Sequence, residues 1–184
     1  MNPLEHLEHR LGYSFNDQHL LTRALTHRSQ GAKNYERLEF LGDALLGVVI
    51  AETLYKKFET ANEGQLSRLR SSIVRKETLA RVARALNLGE HLLLGPGELK
   101  SGGFNRDSIL SDVLEAIIGG IYLEVGHDVA AERIADWFAT ELASLSLSQT
   151  QKDPKTRLQE HLQARALAPP EYKVINVEGK SHDQ

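Results

Sequence analysis

The stretch Glu36-Arg37-Leu38-Glu39-Phe40-Leu41-Gly42-Asp43-Ala44 sets three carboxylates inside a run that otherwise reads as buried helix. At helical spacing Glu36, Glu39 and Asp43 fall at i, i+3 and i+7, so all three point the same way. Leu38, Leu41, Leu45 and Val48 form a neighbouring apolar stripe. Charge on an apolar helical face is costly unless it is solvated, paired or bound to a cation. One helix therefore offers a greasy face and an acidic edge with the character of a cation site.

A second acidic pair lies in Asp107-Ser108-Ile109-Leu110-Ser111-Asp112-Val113-Leu114-Glu115-Ala116-Ile117-Ile118-Gly119-Gly120, where Asp112 and Glu115 are spaced i, i+3. The isoleucines, leucines and valine of this segment make it apolar around most of its circumference, the pattern of a buried helix. Unpaired carboxylates on such a helix are poorly tolerated. A divalent cation shared with the first acidic helix is the simplest compensation. Magnesium suits the ligand set, because it is a hard ion that takes carboxylate oxygen and retains water. The chain has no cysteine, which excludes thiolate sites and a disulfide framework.

The segment from Glu36 to Asp43 resembles the signature of the ribonuclease III family of double-strand-specific endoribonucleases, and the segment from Ser108 to Gly120 resembles that family's second acidic motif. Ala24-Leu25-Thr26-His27-Arg28-Ser29, Glu63-Gly64-Gln65-Leu66-Ser67-Arg68-Leu69-Arg70 and Leu94-Gly95-Pro96-Gly97-Glu98-Leu99-Lys100-Ser101-Gly102-Gly103 agree with it in the same order. The likeness runs from about Leu7 to the last residue and is to short bacterial enzymes with one nuclease and one RNA-binding domain. It implies a mostly α fold: an all-helical endonuclease domain over residues 1–145, a polar linker at 146–152, and the first part of an α+β double-stranded-RNA-binding domain at 153–184.

Helical periodicity runs along most of the chain. Asn16 or Asp17 can cap a helix that carries Leu20, Leu21, Ala24 and Leu25. The signature helix extends to about Phe58. Leu66, Leu69, Ile73, Val82 and Leu86 mark further helix, with Gly89 as its stop. The glycines and proline between Gly95 and Gly103 mark a loop. The second acidic helix gives way near Gly126, and a helix from about Ala130 to Leu145 presents Ile134, Trp137, Phe138 and Leu142 to the core. Beyond the linker, Asp153-Pro154 opens a helix that Pro169-Pro170 ends, and Tyr172 to Val177 has strand propensity. An RNA-binding domain of this kind has two more strands and a closing basic helix, which this sequence does not contain.

The resemblance implies phosphodiester hydrolysis in double-stranded RNA assisted by Mg2+, with Mn2+ as a substitute, leaving 5′-phosphate and 3′-hydroxyl ends and short 3′ overhangs. It assigns metal ligation to Glu39, Asp112 and Glu115, with Glu115 also catalytic. Asp43 is assigned to the water that the metal activates, and Glu36 and Glu63 are accessory acids acting across a dimer interface. Phe40 is expected at the twofold interface of a homodimer, entering the partner. Thr156, Gln159 and His182 match RNA-contacting positions of the second domain. His27 is read as structural, since carboxylates and metal already provide the chemistry. Processing of ribosomal RNA precursors and processing or decay of structured messages are the roles implied.

A formal net charge of −3 is unusual for a nucleic-acid binder, but the acidic site contributes to it. No stretch is apolar and long enough to span a bilayer, and the N-terminus lacks a secretory apolar region, so the cytoplasm is the expected compartment. No organic cofactor is implied. A double-stranded-RNA-binding protein that does not cut, or a helical dimer scaffold, are the competing readings.

Overall fold

In the computed structural model, which describes residues 3–147, 154–170 and 173, the chain divides into two units, Met1–Gln149 and Thr150–Gln184. The first is built from helices α1 (Pro3–Leu11), α2 (Gln18–Ala24), α3 (Glu36–Lys57), α4 (Glu63–Val74), α5 (Lys76–Ala85), α6 (Pro96–Lys100), α7 (Asp107–Val125), α8 (His127–Trp137) and α9 (Ala139–Ser144). The second contains α10 (Pro154–Ala164). Among the described residues the one β pairing is an isolated bridge between Thr26 and Leu93.

Local chemistry explains most boundaries. The Asp17 side chain accepts the His19 N–H at 2.9 Å and opens α2. Asn62 and Gln65 form a reciprocal capping box at the start of α4. Gly126, at φ +84°, ends α7. The stop expected at Gly89 falls elsewhere: α5 ends at Ala85 with Leu86 as its cap, and Asn87 takes the left-handed conformation at φ 58°. Gly89 instead lies in a short 3-10 turn, where a Cβ would sit 2.4 Å from the Phe104 carbonyl oxygen. The helix expected from Ala130 to Leu145 starts at His127 and breaks at Phe138. The segment around Gly95–Gly103, read as loop, contains α6, with Pro96 at its first turn.

In the second unit the helix stops before the prolines. Ala166 adopts φ 53°, the Leu167 N–H reaches the Leu162 carbonyl at 2.9 Å and the Ala166 N–H reaches Gln163 at 3.0 Å. This is a Schellman-type end, set by backbone hydrogen bonds rather than by Pro169 and Pro170. The expected strand, Lys173 apart, and Asp153 lie outside the described residues.

Helix α7 is the axis of the first unit and packs against α3, α5, α2 and α8. Ile109, Leu110, Val113, Leu114, Ile117, Ile118 and Ile121 are all buried. At roughly 1.5–3 kcal/mol for each such side chain, this row decides where α7 sits, and the acids it carries must accept that position. The crossing of α3 over α7 is unusually close. A Cβ on Gly42 would stand 1.7 Å from the Glu115 carbonyl oxygen, and one on Gly119 would stand 2.2 Å from that of Leu38. Only two facing glycines let the backbones meet. Leu38 and Leu45 are buried on α3 as expected, whereas Val48 is 58% exposed and belongs to a different face.

Candidate metal centre

The glycine crossing sets Glu39 of α3 against the acidic pair of α7. Glu39 stands one turn before Gly42 on α3, while Asp112 and Glu115 stand on α7 before Gly119. One carboxylate oxygen from each of Glu39, Asp112 and Glu115 lies within 4.8 Å of the others. Like charges at this spacing repel, and Glu115 is buried. Burial first, then the charges of Asp43, Asp112 and Glu39, push the Glu115 carboxyl up to about 8. Glu39 is pushed up to about 7 by burial, Asp112, Glu36 and Asp43, with Arg28 opposing. Burial raises Asp112, partly offset by hydrogen bonds from Ser111 and Tyr35.

Among the described residues, no arginine, lysine or hydrogen-bond donor is paired with Glu39 or Glu115. Contrast Glu8, equally buried, which accepts the Phe15 N–H at 2.9 Å and the Gln18 amide at 2.7 Å. Glu8 is satisfied by its own fold; Glu39 and Glu115 are not. The residues present therefore fit a hard divalent cation. Imidazole plays no part in this donor set, and no thiolate is available.

Asp43 is exposed, one turn along α3 from Glu39, close enough for its charge to act on Glu39 and Glu115. Glu36 is exposed and 3.7 Å from Arg28. Glu36 and Arg28 line a cleft of about 720 Å3 together with Glu39, Asp112, Arg106 and Ser108. Glu98 holds Arg106 at 2.6 Å on the same cleft. Glu63 is not brought to the acids within one chain: it lies in the first turn of α4, accepts the Ser67 hydroxyl at 2.9 Å and borders a separate groove with Tyr55 and Leu66.

His27 is buried, and its Nδ1 accepts the Ser29 N–H at 3.1 Å, so it holds the turn after α2. Phe40 is 80% exposed. Gln159 is exposed on α10, the side chain of Thr156 and all of His182 lie outside the described residues. Of the basic side chains on α5, Arg81 pairs with Glu141 and Arg84 with Asp107, which commits both to the fold. Sequence reading missed Tyr35, whose hydroxyl donates to Asp112 Oδ2 at 3.4 Å. It also gave Gly42 no part; a glycine inside an otherwise good helix was the available signal.

The profile of the Ribonuclease-III-like family matches residues 17–142. Ribonuclease 3 of Hahella chejuensis is 58% identical over 181 residues, covering 98% of this chain and 80% of that protein. The nuclease domain of ribonuclease III from Campylobacter jejuni superposes with a TM-score of 0.75 at 44% identity, covering 79% of this chain and 100% of that one. A second structure of that domain, described for flexibility in a region involved in dimer formation, gives 0.74 at 46% identity and covers 74% of this chain and 96% of that one.

Proposed function

This chain belongs to the ribonuclease III-like family, and we propose that it is an endoribonuclease that hydrolyses phosphodiester bonds in double-stranded RNA. The observation that carries the reading is the Glu39–Asp112–Glu115 triad, gathered within 4.8 Å and, among the described residues, left without a neutralising partner on Glu39 or Glu115. Those three residues would hold Mg2+, with Mn2+ as its substitute. When bound, the ion supplies charge relief at the phosphate and acidifies water.

The side chains divide the remaining work. Glu39 and Glu115 retain protons near neutrality, so cation uptake displaces them and is favoured as pH rises. Asp43, outside the triad but in its field, orients the attacking water, and Glu115 both holds the cation and shapes the reacting site. Glu36 stands on the cleft as an accessory acid. Glu63 acts as one only across an interface between two copies. The products are 5′-phosphate and 3′-hydroxyl ends with short 3′ overhangs, and the setting is the cytoplasm, in maturation of ribosomal RNA precursors and processing or decay of structured messages.

A homodimer is part of the proposal. Phe40, Val48 and Tyr55 are exposed along α3, and Tyr55 also lines an apolar groove of about 440 Å3 with Ala51, Leu54 and Leu66. Such a stripe favours a partner surface, Phe40 entering the second copy, and two related sites then address the two strands of one duplex. RNA contacts at Thr156, Gln159 and His182 belong to the same reading.

Cleavage of end-labelled duplex RNA in Mg2+, in EDTA and by the Glu115→Gln variant tests it. Scission that needs Mg2+ and falls at least ~10³-fold in the variant is expected. Undiminished cutting by Glu115→Gln would end the assignment. A folded chain that binds the duplex in Ca2+ without cutting it in Mg2+ would mark a binding protein, and one that does neither a scaffold.

A further inference from the structure

Tyr35 stands where the segments that build the site meet. Its backbone N–H donates to the Thr26 carbonyl at 2.9 Å, and its own carbonyl accepts the N–H groups of Leu38 and Glu39 at 2.8 and 2.9 Å. The ring is 2% exposed and lies 5.7 Å from that of His27. His27 is fixed in turn, its N–H donating to the Leu93 carbonyl at 3.0 Å and its Nδ1 engaged by Ser29. From this held position the Tyr35 hydroxyl crosses from α3 to α7 and donates to Asp112 Oδ2 at 3.4 Å. One residue ties the backbone that carries Glu39 to the carboxylate of Asp112.

A bond of that length contributes little to holding the fold, and a phenylalanine would fill the same space. The hydroxyl has a directional use instead. A carboxylate on a helix can turn about its side-chain bonds, and a donor on one oxygen selects one orientation. The other neighbouring donor is Ser111 Oγ, 3.2 Å from Asp112 Oδ1, but its single proton is also directed at the Ser108 carbonyl, 2.9 Å away. Asp112 thus has one oxygen facing the Tyr35 hydroxyl and the other facing a Ser111 proton shared with the Ser108 carbonyl.

We infer that Tyr35 is a positioning residue of the metal centre, presetting the Asp112 carboxylate so that the triad receives a divalent cation without reorganising. This role rests on the metal reading above. Partners that orient metal ligands change affinity by about 10–100-fold when removed; a long bond with a second donor nearby places the effect of Tyr35→Phe at the lower end, about 3–10-fold.

The test is calorimetric titration of Mn2+ into the full chain without RNA, comparing wild type, Tyr35→Phe and Ser111→Ala. Mn2+ affinity is expected to fall about 3–10-fold in Tyr35→Phe and less in Ser111→Ala, with the thermal midpoint of Tyr35→Phe in EDTA unchanged. Duplex cleavage by Tyr35→Phe should need more Mg2+ for half-maximal rate yet reach a similar maximum. Equal Mn2+ affinity of Tyr35→Phe and wild type would overturn the role, and a larger loss in Ser111→Ala would transfer it to Ser111. A lowered midpoint of Tyr35→Phe in EDTA would make the hydroxyl a fold contact and equally overturn it. A wild-type chain that takes up no Mn2+ would sink the metal reading itself.

Discussion

Glu115 shows at the scale of one residue how function is set against stability. Its carboxyl and that of Glu39 titrate near 8 and 7, well above the value an unfolded chain would give. Between those limits the folded protein holds protons that the unfolded chain has released, so stability falls as pH rises through about 4.5 to 8. Without metal, the thermal midpoint should therefore drop by a few degrees between about pH 5 and pH 8.5. Mg2+ should raise it more at the upper pH. A midpoint that stays level in EDTA across that range would show that these acids do not retain their protons. By the same argument Glu115→Gln, which removes a buried charge, should melt higher than wild type in EDTA at about pH 8 while losing cleavage. Chemistry and stability trade against each other at this position.

Helices α3 and α7 carry the site because their backbones touch. A methyl group at Gly42 would press into the Glu115 carbonyl, and overpacking of this kind typically costs 1–3 kcal/mol, occasionally more. Gly42→Ala is expected to cost about 3 kcal/mol or more in denaturant unfolding and to weaken Mn2+ uptake by parting Glu39 from α7. Gly97→Ala, on α6 with open space around the glycine, should stay within about 1 kcal/mol of wild type. Similar losses at both positions would mean that the cost is helix propensity, not the crossing. The glycine inside Leu41-Gly42-Asp43 is visible in sequence, but its partner Gly119 is identified only when the two helices are laid together.

For the whole molecule, the exposed Phe40–Val48–Tyr55 stripe bears on assembly. Phe40→Asp should weaken the proposed dimer at least ~100-fold, the scale of a central aromatic anchor, and sedimentation at assay concentration would read it directly. A monomeric wild type would remove the basis of that expectation and of any part for Glu63 in the site. Duplex RNA is held largely through phosphates, so affinity in Ca2+ should fall as salt rises from about 50 to 200 mM. An affinity indifferent to salt would place the RNA contacts somewhere other than the charged cleft and α10.

Much of this molecule is legible in its residue order, because the signals are local. Spacing of leucines and isoleucines marks α3 and α7; Asp17 marks the start of α2; Gly126 marks the end of α7. The acids at Glu39, Asp43, Asp112 and Glu115 stand out because charge interrupts apolar periodicity. Local signals failed where a distant group decided: Gly89 serves the Phe104 carbonyl rather than a helix end, and Val48, apolar like its neighbours, faces outward. Sequence alone determined that two helices bear acids at cation spacing. Tertiary structure decided that they form one centre, since only the Gly42–Gly119 contact brings Glu39 to Asp112 and Glu115. It also decided that Tyr35 reaches Asp112 and that Glu63 stands apart, because such distances depend on how helices cross, which no spacing along the chain encodes.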